Sequence, residues 1–301
     1  MKRVLSPSLG SPQVDYDVTG EFLGQAVRVQ RIGTASSRRR FVEILRSERD
    51  TVDCFGFGGG DIYVVAGGCR YRWRYEYRMA LEAGDTPIVD GSGLKNTIER
   101  RTIEWLVAEG VVDFAHSRTL IVSAVDRFGM AEAIARQGGE TIMGDLIFSL
   151  GVPVPLRSER ALALVARTFL PVITQCPQSW FYPTGAKQEA IAPRYPRFYE
   201  WADTICGDFQ YIRRYLAQNL MGKTIITNTT KPDDLQLLRE RGVRRLVTST
   251  PDLTLGGRSP GTNVLEALVV ALLERRPGDI TADDYMATLG AMNWEPRVVD
   301  L

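Results

Sequence analysis

Apolar positions along the chain switch repeatedly between the period of a strand and that of a helix. Lys2–Ser8 and Ala26–Ile32 read as strands, and Arg38–Arg49 carries helical spacing. Val52–Phe57 is a short apolar strand that runs into Gly58-Gly59-Gly60-Asp61. Ile62–Ala66 and Arg70–Tyr75 read as a hairpin about Gly67-Gly68. Ile88–Asp90 is a brief strand, and a helix follows from Leu94 to Glu109 with Gly110 as its stop. The pattern then becomes a cleaner strand–helix–strand series. Thr119–Val125 is continuously apolar, as a parallel strand covered on both faces should be. Gly129–Gln137 is helical and Glu140–Gly144 the next strand. Strands follow at Thr204–Cys206, Lys223–Thr227 and Arg245–Thr248, with helices from Pro232 to the stop at Gly242 and over Asn263–Leu273. Thr281 with Asp284 predicts a capping box for a last short helix.

Such alternation predicts an open α/β sheet protein. The break near 105–118 predicts two lobes: an N-terminal α/β substrate lobe over 1–110, and a Rossmann-like parallel-sheet lobe over 111–280. Residues 151–200, rich in proline and aromatics, are too long for a simple connection and read as an elaboration beside a site.

Composition narrows the chemistry. The 301 residues are 44% hydrophobic, enough to bury a core. Lys and Arg number 37 and Asp and Glu 36, so the net charge of +1 argues against a nucleic-acid partner. The alternating Arg70–Arg78 segment (RYRWRYEYR) then reads as an amphipathic strand with its aromatics inward. No apolar run is long enough to span a membrane. The start of the chain has no signal-peptide pattern, and Cys54, Cys69, Cys176 and Cys206 have no CxxC spacing; both predict a cytoplasmic protein with free thiols. The lone histidine, His116, reads as a surface loop residue, and no metal site is expected.

Three sets of residues could carry chemistry. In the first, Ala124, Asp126, Arg127, Phe128 and Gly129 form a turn between a strand and a helix, with Asp145 after the next strand. That is the layout in which backbone N–H groups hold a pyrophosphate and an acid takes the ribose hydroxyls. In the second, Asp90-Gly91-Ser92-Gly93-Leu94-Lys95-Asn96-Thr97 opens a helix at the carboxyl edge of a sheet, where a lysine beside an aspartate can relay a proton. The third is the polar rim of the second lobe: Thr227, Asn228 and Thr229, then Thr248 and Thr250, with Asn263 directed to the same edge. Asp61 and Tyr63 could face a substrate, and Tyr182–Lys187 could form a lid that places Lys187 over it.

VDGSGLKNTIERR (89–101), VSAVDRFGMAEA (122–133), GDLIFSLGVPVPLRS (144–158), YPTGAKQE (182–189), GKTIITNTT (222–230) and GRSPGTNVLEA (257–267) are similar to a bacterial family of quinate 5-dehydrogenases. The resemblance covers nearly the whole chain. It implies a substrate lobe, a nicotinamide-nucleotide lobe, and a final helix over 281–301 that returns to the first lobe. It implies hydride transfer between NAD and a ring hydroxyl of a quinate- or shikimate-like acid. Lys95 would be the catalytic lysine and Asp90 its partner, with Asp61 in reserve. Asp145 would favour NAD over NADP, because a carboxylate repels a 2′-phosphate. Arg157 or Arg258 would pair with the substrate carboxylate. The alternatives are a transferase or lyase whose SAVDRFG turn holds another ligand, such as S-adenosylmethionine, and a non-catalytic binder of a small metabolite. The expected partner is a small hydroxy acid, with a homodimer left open.

Overall fold

The computed structural model describes residues 1–182, 190–250 and 260–301. Its elements, in chain order, begin with β1 (Lys2–Ser8), β2 (Tyr16–Phe22), β3 (Gln25–Gly33), α1 (Arg38–Glu48) and β4 (Cys54–Gly56). Next come β5 (Tyr63–Ala66), β6 (Cys69–Arg72), α2 (Arg74–Ala80), β7 (Ile88–Val89) and α3 (Ser92–Ala108). The second part holds β8 (Arg118–Ile121), α4 (Phe128–Ala135), β9 (Glu140–Met143), α5 (Glu159–Ile173), α6 (Arg197–Trp201) and β10 (Thr204–Cys206). It continues with α7 (Phe209–Arg214), β11 (Thr224–Thr227), α8 (Pro232–Glu240) and β12 (Arg245–Thr248). Last are α9 (Thr262–Leu273), α10 (Ala282–Ala291) and β13 (Arg297–Asp300).

The fold is α/β and two-lobed, with a mostly parallel sheet in each lobe. The first sheet runs β2-β3-β1-β4-β7, with β2 antiparallel at its edge. The second runs β13-β12-β11-β10-β8-β9, with β13 antiparallel. The expected second lobe, 111–280, contained the helix near 263–273, but α9 packs on β1 and β4 of the first sheet. Val264, Leu265, Leu268 and Val269 of α9 share a core with Val4, Val27, Val29 and Cys54. α10 lies against α3 and α9, and the chain then returns to the second lobe as β13. The other face of the first sheet holds Leu5 and Phe55 against Phe41 and Leu45 of α1.

Several elements differ from the sequence pattern. The apolar run expected as a strand to Val125 leaves the sheet at Ile121, and the chain turns over 122–127. The expected strand over Arg70–Tyr75 ends at Arg72 and becomes α2, whose buried Glu76, Met79 and Ala80 have helical spacing. The 151–200 segment contains α5, which packs on β5, β6 and α4 and so spans the lobes. β2 and β13 are edge strands with few buried positions, which is why no apolar pattern marked them.

Candidate functional site between the lobes

A cleft with a cavity volume of ≈ 210 Å³ lies where the two sheets present their carboxyl ends. Its floor is built from α3 of the first lobe and the turn after β8 of the second. Gly91 caps α3 in the left-handed region (φ 95°), and a Cβ there would lie 3.0 Å from the Asn263 nitrogen, so glycine lets α9 approach. One turn into α3, Lys95 is buried. Its Nζ lies 3.1 Å from Asp61 Oδ1 and 2.9 Å from Asp126 Oδ1. Asp126 also faces Arg127 Nε at 3.2 Å. Arg127 reaches back to Glu99 of α3 and forward to Asp208, 2.6 Å from Nη2. A buried chain of alternating charge therefore crosses from one lobe to the other.

Burial pushes Asp61 up to about 7; the Lys95 ammonium draws it back, and the Asp126 and Asp90 carboxylates add to the rise. Burial likewise lifts Glu99 to about 7 against the pull of Arg127 and Lys95. Burial also acts upward on Asp126, but Lys95 and Arg127 outweigh it and hold this carboxyl below the usual range. Burial alone would lower Lys95, yet Asp126 and Asp61 more than compensate, and the amine is firmly an ammonium. Gln178 completes the floor: its Nε2 donates to Asp61 Oδ2 (3.3 Å) and its Oε1 accepts from the Asp61 amide (3.1 Å). Tyr182, Gln210, Tyr211, Asn228 and Asn263 line the walls.

The structure gives several expected residues other duties. Lys95 pairs with Asp61 and Asp126, not with Asp90. Asp90 lines the cleft, but its oxygens accept the amides of Ile62 (2.5 Å), Tyr63 (2.7 Å) and Ser92 (2.9 Å), fixing the hairpin to the start of α3. Tyr63 stacks under Arg70, 3.5 Å from its ring centroid, away from the cleft. Asn96 Oδ1 accepts the Gly129 amide at 3.0 Å. A Cβ at Gly129 would lie 2.4 Å from the Asn96 carbonyl, so this glycine serves α3–α4 packing and leaves no room for a phosphate. The amides of Ala124 (3.1 Å) and Val125 (2.9 Å) donate to Asp145, which burial lifts to about 7. Asp145 thus ties the turn that was expected to hold a pyrophosphate. Phe128 is a core residue.

On the second lobe, Asn228 and Thr229 line the cleft. Thr227 Oγ1 donates to the Gly207 carbonyl (2.8 Å) and Thr250 Oγ1 to that of Asn228 (2.8 Å), so both tie the turns together. Thr248 is buried beneath them. Ser92 and Thr97 are not among the lining residues, and Arg157 is exposed elsewhere. Lys187 and Arg258 lie outside the described residues. His116 sits at the surface with Nδ1 2.8 Å from Asp113. Glu99, Gln178 and Asp208 are site residues that sequence reasoning missed; Asp208 alone carried a signal, as a polar residue one glycine past the end of a strand.

Two family models match the chain. A domain of unknown function, DUF8754, matches residues 93–301, well over half of it. The chain belongs to the DUF8754 family. A second, DUF8753, matches residues 3–90. No curated protein matches the DUF8754 chain. Similar solved structures include a Burkholderia multivorans ABC-transporter solute-binding protein (10% identity, 99% of each chain covered, TM-score 0.40). Another is a 5-methylthioribose transporter solute-binding protein from Thermotoga lettingae (10%, 99% of this chain and 86% of that, TM-score 0.39). A third is a periplasmic solute-binding protein from Actinobacillus succinogenes with bound D-allose (10%, 100% and 98%, TM-score 0.36).

These findings correct the expected family. The models matched are of domains of unknown function, not of quinate dehydrogenases. The dehydrogenase and the oxidoreductase chemistry fall with it, and in the turn expected to hold a pyrophosphate the amides of Ala124, Val125 and Gly129 already have partners. The cytoplasmic location expected from the sequence is likewise withdrawn.

Proposed function

We propose that this DUF8754 protein binds a small polyhydroxylated metabolite between its lobes without transforming it. The observation that carries this is the cleft floor. Asp61, Asp90, Asp126 and Asp208 line it, Glu99 lies beneath against Arg127, and among the described residues Lys95 and Arg127 are the cations there, which disfavours an anionic ligand group at that depth. Hydroxyls suit it, because each both donates and accepts, and the amides of Gln178, Asn228 and Asn263 offer both functions beside the carboxylates. Lys95 as a fixed ammonium has no lone pair with which to relay a proton, and acts as a donor.

The test is thermal unfolding with D-ribose, D-galactose and myo-inositol in turn. A ligand at about 100 times its dissociation constant stabilises by roughly 2.7 kcal/mol, a shift of a few degrees. The expected result is such a shift with at least one polyol, lost in Gln178→Ala, with the polyol recovered unchanged. No shift with any polyol, or conversion of one, overturns the proposal.

A further inference from the structure

The cleft continues beyond its floor. Past Gly59, Asn228, Thr229 and Asn263, which wall both spaces, it opens into an outer chamber of ≈ 240 Å³. The chemistry there reverses. Arg31 on β3 and Lys231 at the start of α8 bring cations from opposite lobes. Ser6 and Ser8 of β1 are almost wholly buried, at 1% and 3% exposure. Ser8 Oγ accepts from the Gly10 amide (3.1 Å) and from Arg31 Nη2 (3.0 Å), so its own proton is left to donate. Ser6 Oγ accepts from Asn263 Nδ2 (3.0 Å) and has its proton left in the same way. Tyr16 adds a buried hydroxyl with no hydrogen-bond partner among the described residues. Asp234 is the one carboxylate in this wall among the described residues. Its Oδ2 accepts the Lys231 amide (2.8 Å) and its Oδ1 lies 3.3 Å from Arg213. Asp15 pairs with Arg31 Nη1 at 2.6 Å, on the side away from Ser8.

We infer that this chamber takes a phosphate monoester, so that the ligand of the cleft is a phosphorylated polyol. The inference rests on the polyol reading of the floor. A phosphate dianion presents three acceptor oxygens, and the guanidinium, the ammonium and the serine protons converge on one space from β1, β3 and the facing lobe. The floor repels the same group, which fixes the ligand's direction: hydroxyls inward, phosphate outward.

Titration calorimetry tests this on the full chain, with D-ribose, D-galactose and myo-inositol each beside its monophosphate, and with inorganic phosphate. At least one ester should bind about tenfold or more tighter than its parent, with the advantage shrinking as salt is added. Lys231→Met and Ser8→Ala should each reduce that advantage several-fold and leave the parent polyol's affinity unchanged. Arg31→Gln is the less informative variant, since it also loses the Ser11 carbonyl and Asp15. Esters no tighter than their parents, or an advantage that survives both substitutions, overturn the phosphate assignment while the polyol reading stands. Inorganic phosphate binding that needs Lys231, with no polyol bound, keeps the chamber and removes the floor reading. No binding of any probe removes both.

Discussion

Replacing Lys95 by methionine removes the cation that, among the described residues, touches both Asp61 and Asp126. The substitution keeps most of the side-chain volume, so its effect is electrostatic. At contacts of 3.1 and 2.9 Å and an effective dielectric of about 20, each pair is worth roughly 5 kcal/mol of attraction. Most of that offsets desolvation, and stripping one partner from a buried pair costs about 3–5 kcal/mol. The variant can escape part of the loss by taking up a proton between the two carboxyls. Its folded state then binds about one proton more than its unfolded state, from the ordinary carboxylate range near pH 4 up to the raised folded value. The wild type's Asp61, itself raised to about 7, keeps its proton over the lower part of that window, so stability relative to the wild type falls as pH rises above about 7, by up to about 1.4 kcal/mol per unit. Urea unfolding of both proteins from pH 5.5 to 8 measures this. The expected difference is about 3–5 kcal/mol at pH 8, less near pH 7, and level from there to pH 5.5. A difference below about 1 kcal/mol, or one that does not vary with pH, would refute the buried triad.

Three further outcomes follow from the packing. Gly129→Ala should lose about 1–3 kcal/mol in thermal unfolding, because its Cβ meets the Asn96 backbone and not a yielding side chain; a neutral result contradicts the close α3–α4 approach. Asp145→Ala orphans the Ala124 and Val125 amides, at about 1–3 kcal/mol each, and wild-type stability in that variant would show that the turn does not depend on them. Glu266, accepting from the Tyr285 hydroxyl, is lifted to about 8 by burial and the Asp90 carboxylate. Its raised value adds stability that is full below the ordinary glutamate range and lost as pH climbs through 8. The melting temperature of Glu266→Gln should accordingly decline less than that of the wild type between pH 6 and 9, and parallel curves would exclude this role.

Local pattern made much of the fold legible. β1, α1 and α10 announce themselves by apolar period or by the Thr281–Asp284 capping box, which the structure contains. What the sequence could not show is long-range. α9 reads as a helix, yet nothing in its own residues says which sheet it covers. Lys95 stood out, but its partners lie 34 residues before it and 31 after, brought together by tertiary packing alone. The SAVDRFG turn misled because a strand followed by a tight turn and a helix looks alike whether its amides are open or filled. Only the fold brings Asp145 and Asn96 to fill them.

The path of α9 has a consequence for synthesis. The first sheet emerges from the ribosome with one apolar face bare, and the helix that covers it is made some two hundred residues later. Until then Val4, Val27, Val29 and Cys54 face water or a chaperone. The first lobe therefore cannot mature as an independent unit during translation, even though its strands are made before those of the second. A chain cut short before residue 262 leaves both lobes unfinished, since β13 is lost from the second sheet together with α9 from the first.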